Sequence, residues 1–308
     1  MSRVLVTGAS GFIGRTLVPA LLTAGYSVRA AARHMPPFAP PVEIAIHGDL
    51  GAGVEWRPLM AEVDFIVHLA GIAHTGSGVI AARYDLVNHL ATAALAKAAR
   101  EARVKRIVFV STIRAQTGPR SDCVLTEDDP PRPTDLYGRS KLAAEVALER
   151  SGMDFAVLRP VLVYGPGVKG NLRALVRLAA LPVPLPFGRF TNRRSVLSVH
   201  NLVAAIAHVL RHPASGGETY VAADLQPVSL ADMVTALRAG LGRAPGLLKA
   251  PPGLIRLGLA MLGRSRNWDQ LDGQLIVDPS KLIGAGWRPD LDTVAGLAAM
   301  ARGRGLER

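Results

Sequence analysis

The sequence predicts an α/β fold, a doubly wound parallel sheet followed by a smaller C-terminal part. Three observations predict it. The chain opens with an apolar run, Val4 to Val6, that passes through a glycine-rich turn into an apolar helical pattern. Short runs rich in Val, Ile and Ala then recur, continuous rather than alternating, with alanine-rich helical stretches between them; parallel strands buried on both faces have this pattern. Beyond residue 165 the elements shorten, and proline and glycine punctuate the chain, most densely over Pro182 to Gly188. With 308 residues, 49% of them hydrophobic, the chain exceeds the usual ~100–200 residues of one domain. The expected division is 1–165 and 166–308, with some later segments returning to the core.

In chain order, the first strand ends at Thr7 and must reverse sharply, which asks for a residue without Cβ at Gly8. Gly11 lets the backbone approach an anion, and Gly14 lets the next helix, from Phe12 and Ile13 to about Ala24, lie close on the strand. The N-terminus of that helix offers unpaired N–H groups and a positive dipole end to a pyrophosphate, so a dinucleotide is the expected ligand. Ser27 to Ala32 is the second strand. It ends in Ala32-Arg33-His34, with no acid to meet ribose hydroxyls; Arg33 suits a 2′-phosphate, which favours NADP over NAD. Val42 to Ile46 is the third strand, leading to Asp49 and Leu50, and Asp64 to Gly71 the fourth, closing on Leu69, Ala70 and Gly71. A long alanine-rich helix is expected over Tyr84 to Arg103, carrying Asn88. The fifth strand, Lys105 to Thr112, ends in the hydroxyls of Ser111 and Thr112, at the strand ends where open parallel sheets bind ligands. A polar loop, Thr126 to Pro133, then leads to Tyr137 and Lys141, which four-residue spacing puts on one helical face. Asp154 to Pro160 is the sixth strand.

Tyrosine has a free pKa of ~10 and is a poor base at neutral pH. A lysine ammonium one turn away, with the charge of an oxidised nicotinamide, would stabilise the phenolate; a drop of about three units is ~4 kcal/mol. Tyr137 would then exchange a proton with a hydroxyl or carbonyl oxygen while hydride moves.

Thr7-Gly8, Gly11-Phe12-Ile13-Gly14 and the Tyr137/Lys141 pair resemble the extended branch of the short-chain dehydrogenase/reductase superfamily, with its Rossmann sheet and smaller substrate-binding domain. The resemblance implies that Asp49 and Leu50 hold the adenine, Leu69, Ala70 and Gly71 lie beside the cofactor, and Asn88 braces the active-site backbone. It implies that Lys141 holds the nicotinamide ribose, Thr112 or Ser111 bonds the reacting oxygen, and the stretch containing Pro160 closes over the nicotinamide. Asn171 and Arg194 would contact the phosphates of a nucleotide sugar. Relatives carry an arginine and an acid near the end; this chain has Asp269-Gln270-Leu271-Asp272 there, with Arg264 and Arg266 before it. Gly118 also falls one residue late after Thr112. The stretches around Ser111, Thr126 and Tyr164 look most like a bacterial polysaccharide-synthesis subgroup of nucleotide-sugar 4-epimerases and 4-ketoreductases. A 4-epimerase is therefore expected, with a ketoreductase, a non-sugar ketone reductase or a silent NADP-binding sensor as rivals, and a homodimer by family analogy.

The formal charge of +12 raises nucleic acid or a membrane surface as partners. No basic run is longer than Arg193-Arg194, so the charge reads as compositional bias helped by an anionic ligand, and nucleic acid is not expected. The single cysteine, Cys123, excludes an intrachain disulfide and a cysteine metal site. His68 and His74 lack acidic partners at ligand spacing and read as turn or core histidines, so no metal is expected. Met1 runs almost at once into the first strand, leaving no room for a signal peptide, so a cytoplasmic location is expected. Leu254 to Leu262, interrupted by Arg256, is too short for the ~20 residues of a membrane span; it reads as a core-facing helix, with peripheral membrane contact left open.

Overall fold

The computed structural model describes residues 1–73, 80–261 and 273–303. In chain order its elements are β1 (Arg3–Thr7), α1 (Phe12–Thr23), β2 (Ser27–Ala32), β3 (Glu43–Ile46), β4 (Phe65–His68), α2 (Ala81–Tyr84), a π-helical turn (Asp85–Leu90), α3 (Ala91–Glu101) and β5 (Arg106–Val110). There follow β6 (Val124–Leu125), α4 (Leu136–Arg150), β7 (Phe155–Pro160), β8 (Leu162–Tyr164), α5 (Gly170–Ala179), β9 (Arg193–Arg194), β10 (Val196–Ser198), α6 (Val199–Arg211), β11 (Glu218–Ala222), β12 (Val228–Ser229), α7 (Leu230–Gly240) and α8 (Pro252–Met261). The helix Thr293–Arg302 ends the described part.

Seven parallel strands form the main sheet in the order β11-β7-β5-β4-β1-β2-β3. Chain direction across the sheet reverses between β1 and β4, and ligands bind such sheets beyond the strand C-termini at that switch point. The strands are apolar throughout because both faces are covered. Val4, Val6, Val108 and Leu158 pack under α1 and α6, whereas Leu5, Ile66, Ile107 and Val157 pack under α3 and α4. A third core joins α5, α7 and the last helix, centred on Val176, Val234 and Leu297. The seventh strand, β11, and the helix α6 come from beyond residue 165, so the main sheet draws on chain after that point.

Three elements differ from expectation, the fifth strand by ending at Val110, two residues before Thr112. The fourth strand stops at His68, because Leu69 to Gly71 turn away around the glycine loop. The helix expected over Tyr84 to Arg103 starts earlier and is interrupted by the π-helical turn at Asp85–Leu90, a distortion that recurs at functional sites. Alanine content favours helix but does not report how one turn is wound. Cys123 is exposed and free. Ile255 on α8 packs against the third core, while Met261 is 81% exposed. His74, Leu262 and the stretch from Arg264 to Asp272 lie outside the described residues.

Candidate active site

The glycines do what the local geometry demands. Gly8 has φ +68°, and a Cβ there would lie 2.7 Å from the Ala70 nitrogen, so this turn packs directly on the end of β4. A Cβ on Gly14 would lie 2.4 Å from the Ala9 oxygen. Gly11 is the N-cap of α1 in extended backbone; no side chain caps this helix, and its first turn holds no acid. Its leading N–H groups are thus open to an anion.

A chain of hydrogen bonds ties this turn to the π-helical segment. The Thr92 hydroxyl donates to the Asn88 carbonyl oxygen (2.7 Å), so it accepts from His68 Nε2 (3.0 Å), and His68 Nδ1 in turn accepts from the Thr7 hydroxyl (2.6 Å). Complete burial keeps His68 neutral, its pKa pushed down to about 3. Asn88 Oδ1 accepts from the Ile72 nitrogen (2.9 Å), and Nδ2 donates to the Ile72 oxygen and to Ser140 Oγ, each at 3.0 Å. A Cβ on Gly71 would come within 2.8 Å of Asn88 Oδ1, which explains a glycine there.

Beyond the C-termini of β1, β4 and β5 lies a cavity of about 220 Å³ lined by Ile13, Leu69, Gly71, Asn88, Thr112, Tyr137, Lys141 and Pro160, among others. Thr112 and Tyr137 line it together, and Thr112 Oγ1 accepts from the Arg114 nitrogen (3.2 Å). Gly138 brings the start of α4 against that loop, since a Cβ would meet the Arg114 oxygen at 2.1 Å. Asp135 caps the helix on the Gly138 nitrogen (2.7 Å). Lys141 Nζ donates to the Val110 oxygen (2.8 Å) and lies 4.0 Å from the Phe109 ring centre.

Burial dominates the electrostatics of the Tyr137/Lys141 pair. Burial pushes the Tyr137 phenol up to about 12, opposed by the Thr112 hydrogen bond, rather than Lys141 drawing it down. Lys141 itself is pushed down to about 7 by burial, opposed by the Glu145 carboxylate. The ammonium is held by the Val110 carbonyl oxygen, one helical turn from the Tyr137 side chain.

Ser111 faces a different partner from Thr112: its hydroxyl donates to Glu145 Oε1. Glu145 also receives Arg159 Nη2 (2.6 Å), and Arg159 Nη1 reaches Gln116 Oε1 (3.2 Å), all these side chains being buried. Sequence reasoning missed this network. Its one signal is Glu145, an acid one turn beyond Lys141 on the same face of the helix.

At the other end, Asp49 Oδ1 accepts from the Gly51 nitrogen (3.0 Å) and Oδ2 pairs with Arg83 (2.5 Å), which holds the carboxyl below its usual range. Leu50 is buried and Arg33 exposed. Asn171 is exposed in the first turn of α5. Arg194 donates to the Gly273 and Pro119 oxygens, each at 2.7 Å. Neither Asn171 nor Arg194 lines the 220 Å³ cavity. A larger cavity of about 630 Å³, lined by Arg193, Leu225, Pro227 and Asp232 among others, has one carboxylate, and that caps α7.

The profile of the NAD dependent epimerase/dehydratase family matches residues 4–223. A UDP-glucose 4-epimerase of Vibrio cholerae is 36% identical over 297 residues, covering 93% of this chain and 90% of that protein. An N-acetyl-α-D-glucosaminyl-diphospho-ditrans,octacis-undecaprenol 4-epimerase of Escherichia coli O157:H7 is 27% identical over 266 residues, covering 84% and 77%. Among solved structures, MoeE5 in complex with UDP-glucuronic acid and NAD superposes with a TM-score of 0.79 at 27% identity, covering 99% of this chain and 100% of that one.

Proposed function

The chain belongs to the NAD dependent epimerase/dehydratase family, and from that premise we propose that it is a nucleotide-sugar 4-epimerase acting on a UDP-hexose or UDP-N-acetylhexosamine. The observation that carries the reading is that Thr112, Tyr137 and Lys141 line one cavity beyond the strand C-termini. The similarity to 4-epimerases supports the choice of reaction.

The residues fit a nicotinamide dinucleotide. Gly8 and Gly14 let the turn pack closely on the end of β4 and on Ala9, and the uncapped start of α1 suits a pyrophosphate. Arg33, Asp49 and Leu50 would hold the adenosine, and Ile13, Asn88, Lys141 and Pro160 the nicotinamide ribose and ring. When bound, the dinucleotide supplies the acceptor and then the donor of the C4 hydride. Tyr137 takes the proton from the C4 hydroxyl as that hydride leaves and returns it when the hydride is restored to the opposite face. Thr112 orients the phenol. Lys141, one turn on, is the chain's own positive charge for the phenolate, and it serves only while protonated. Asn171 and Arg194 would meet the diphosphate. Arg33, with no acid at the end of β2, supports NADP(H) as the preferred form; Arg33→Ala should weaken NADP(H) far more than NAD(H), and equal loss in titrations of both would remove that preference. Exposed Leu86, Leu90 and Leu136, on the helical segments flanking the sheet, support a homodimer through that face.

The test is incubation with UDP-glucose and UDP-N-acetylglucosamine without added reductant, followed by chromatography for the galacto epimers. No epimer, together with consumption of NADPH on a UDP-4-keto-6-deoxy sugar, would replace the epimerase by a ketoreductase.

A further inference from the structure

The net charge of +12 is not evenly distributed. No Asp or Glu occurs between Asp154 and Glu218, or between Asp232 and Asp269, and these two runs hold fourteen Lys and Arg, more than the whole excess. The fold joins the two runs at one junction. Arg238 donates to the Leu181 oxygen (3.2 Å) on one run and to the Pro245 oxygen (3.0 Å) on the other. Leu185 and Leu248 join the same two segments through backbone hydrogen bonds, Leu185 N to the Gly246 oxygen (2.9 Å) and Leu248 N to the Leu185 oxygen (2.8 Å).

The surface over this junction is both apolar and basic. Leu178, Leu181, Val183 and Leu248 are 39%, 44%, 49% and 54% exposed. On the same two runs Lys169, Arg173, Arg177, Arg243 and Lys249 are exposed, and among the described residues none of the five has an acidic partner within ion-pair distance. On α5, Arg173 and Arg177 share one solvent face, and Leu178 lies beside it. Scattered exposed leucines need no explanation, but aliphatic groups clustered with unpaired cations do.

We propose that this α5 and 181–183/248 surface docks on an anionic lipid bilayer, its aliphatic side chains entering the headgroup boundary while the basic ones pair with lipid phosphates. This goes beyond the proposed activity, which needs no membrane. A nucleic acid would meet the same charge, but no aromatic side chain is among the exposed residues of this surface to stack on bases. The apolar face of α5 is buried in the third core, so shallow insertion of the exposed Leu178, Leu181, Val183 and Leu248 side chains, flanked by basic ones, is the mode the geometry allows.

The experiment is co-sedimentation of the full chain with vesicles of phosphatidylcholine alone and of phosphatidylcholine with an equal part of phosphatidylglycerol. Binding is expected only to the anionic vesicles and should weaken with added salt. Each basic residue near an anionic surface contributes about fivefold, so Arg173→Glu with Arg177→Glu should lower the partition at least ~20-fold. Leu181→Ser with Val183→Ser should lower it at constant charge. The control Arg57→Glu with Arg132→Glu, outside both runs, changes net charge equally and should bind as wild type. Thermal melts and turnover on a soluble UDP-sugar confirm that the variants are folded. Absence of vesicle binding, equal binding to neutral vesicles, equal loss in the control, or displacement from vesicles by a single-stranded homopolymer RNA at lower concentration would each overturn the proposal.

Discussion

Replacing Glu145 by Gln tests whether the buried network behind the cavity tunes the reaction or only holds the fold. The carboxylate receives Arg159 Nη2 at 2.6 Å, Arg159 Nε at 3.2 and 3.3 Å, and the Ser111 hydroxyl. Both side chains of the pair are only 7% exposed. Removing one partner of such a pair leaves an uncompensated buried charge and costs about 3–5 kcal/mol; the amide retains one acceptor oxygen, so the low end, about 3 kcal/mol, applies. For a chain of this size each kcal/mol shifts the melting temperature by about 2–4 °C, which gives a fall of roughly 6–12 °C. The second consequence is chemical. Glu145 opposes the depression of Lys141, whose pKa stands at about 7; without that carboxylate Lys141 loses its proton at lower pH. In the proposed mechanism Tyr137 relies on a protonated Lys141, so the alkaline limb of the kcat profile should move to lower pH. Calorimetry and pH-dependent epimerisation measure the two effects. A melting point within about 2 °C of wild type would refute the buried-pair argument, and a lowered melting point with an unmoved alkaline limb would show a purely structural role.

Three further outcomes are expected. Tyr137→Phe should abolish turnover while leaving cofactor affinity nearly unchanged, and Thr112→Ala should lower kcat by ~10²-fold; Ser111→Ala, whose hydroxyl is given to Glu145, should stay within a few-fold, and the reverse order would exchange the roles of the two hydroxyls. Gly14→Ala should cost about 1–3 kcal/mol in denaturant titrations, because its Cβ would meet backbone at 2.4 Å. His68 binds its proton in the unfolded chain at about 6.5 but in the folded chain only at about 3, so stability should fall as pH drops through that window; His68→Gln should flatten that part of the stability curve, and an unchanged slope would exclude His68 as its source.

The glycine turn was legible because its requirements are local: a positive φ at Gly8, and backbone contacts at Gly8 and Gly14 imposed by a strand reversing into a helix. The Tyr137/Lys141 face was legible for the same kind of reason, since helical geometry alone aligns residues four apart. Which hydroxyl meets Tyr137 was not legible. Ser111 and Thr112 both line the cavity and both meet α4, Ser111 at Glu145 and Thr112 beside Tyr137, and only the tertiary packing of that helix decides which partner each hydroxyl meets. The direction of the Tyr137 shift was hidden too. Spacing reports that a lysine is near, whereas burial and the competing Val110 carbonyl determine what that lysine does. The same distinction covers the Glu145/Arg159/Gln116 network and the basic, aliphatic surface at Leu181 and Leu248. Each joins segments far apart in the chain, and only the tertiary fold brings their partners together.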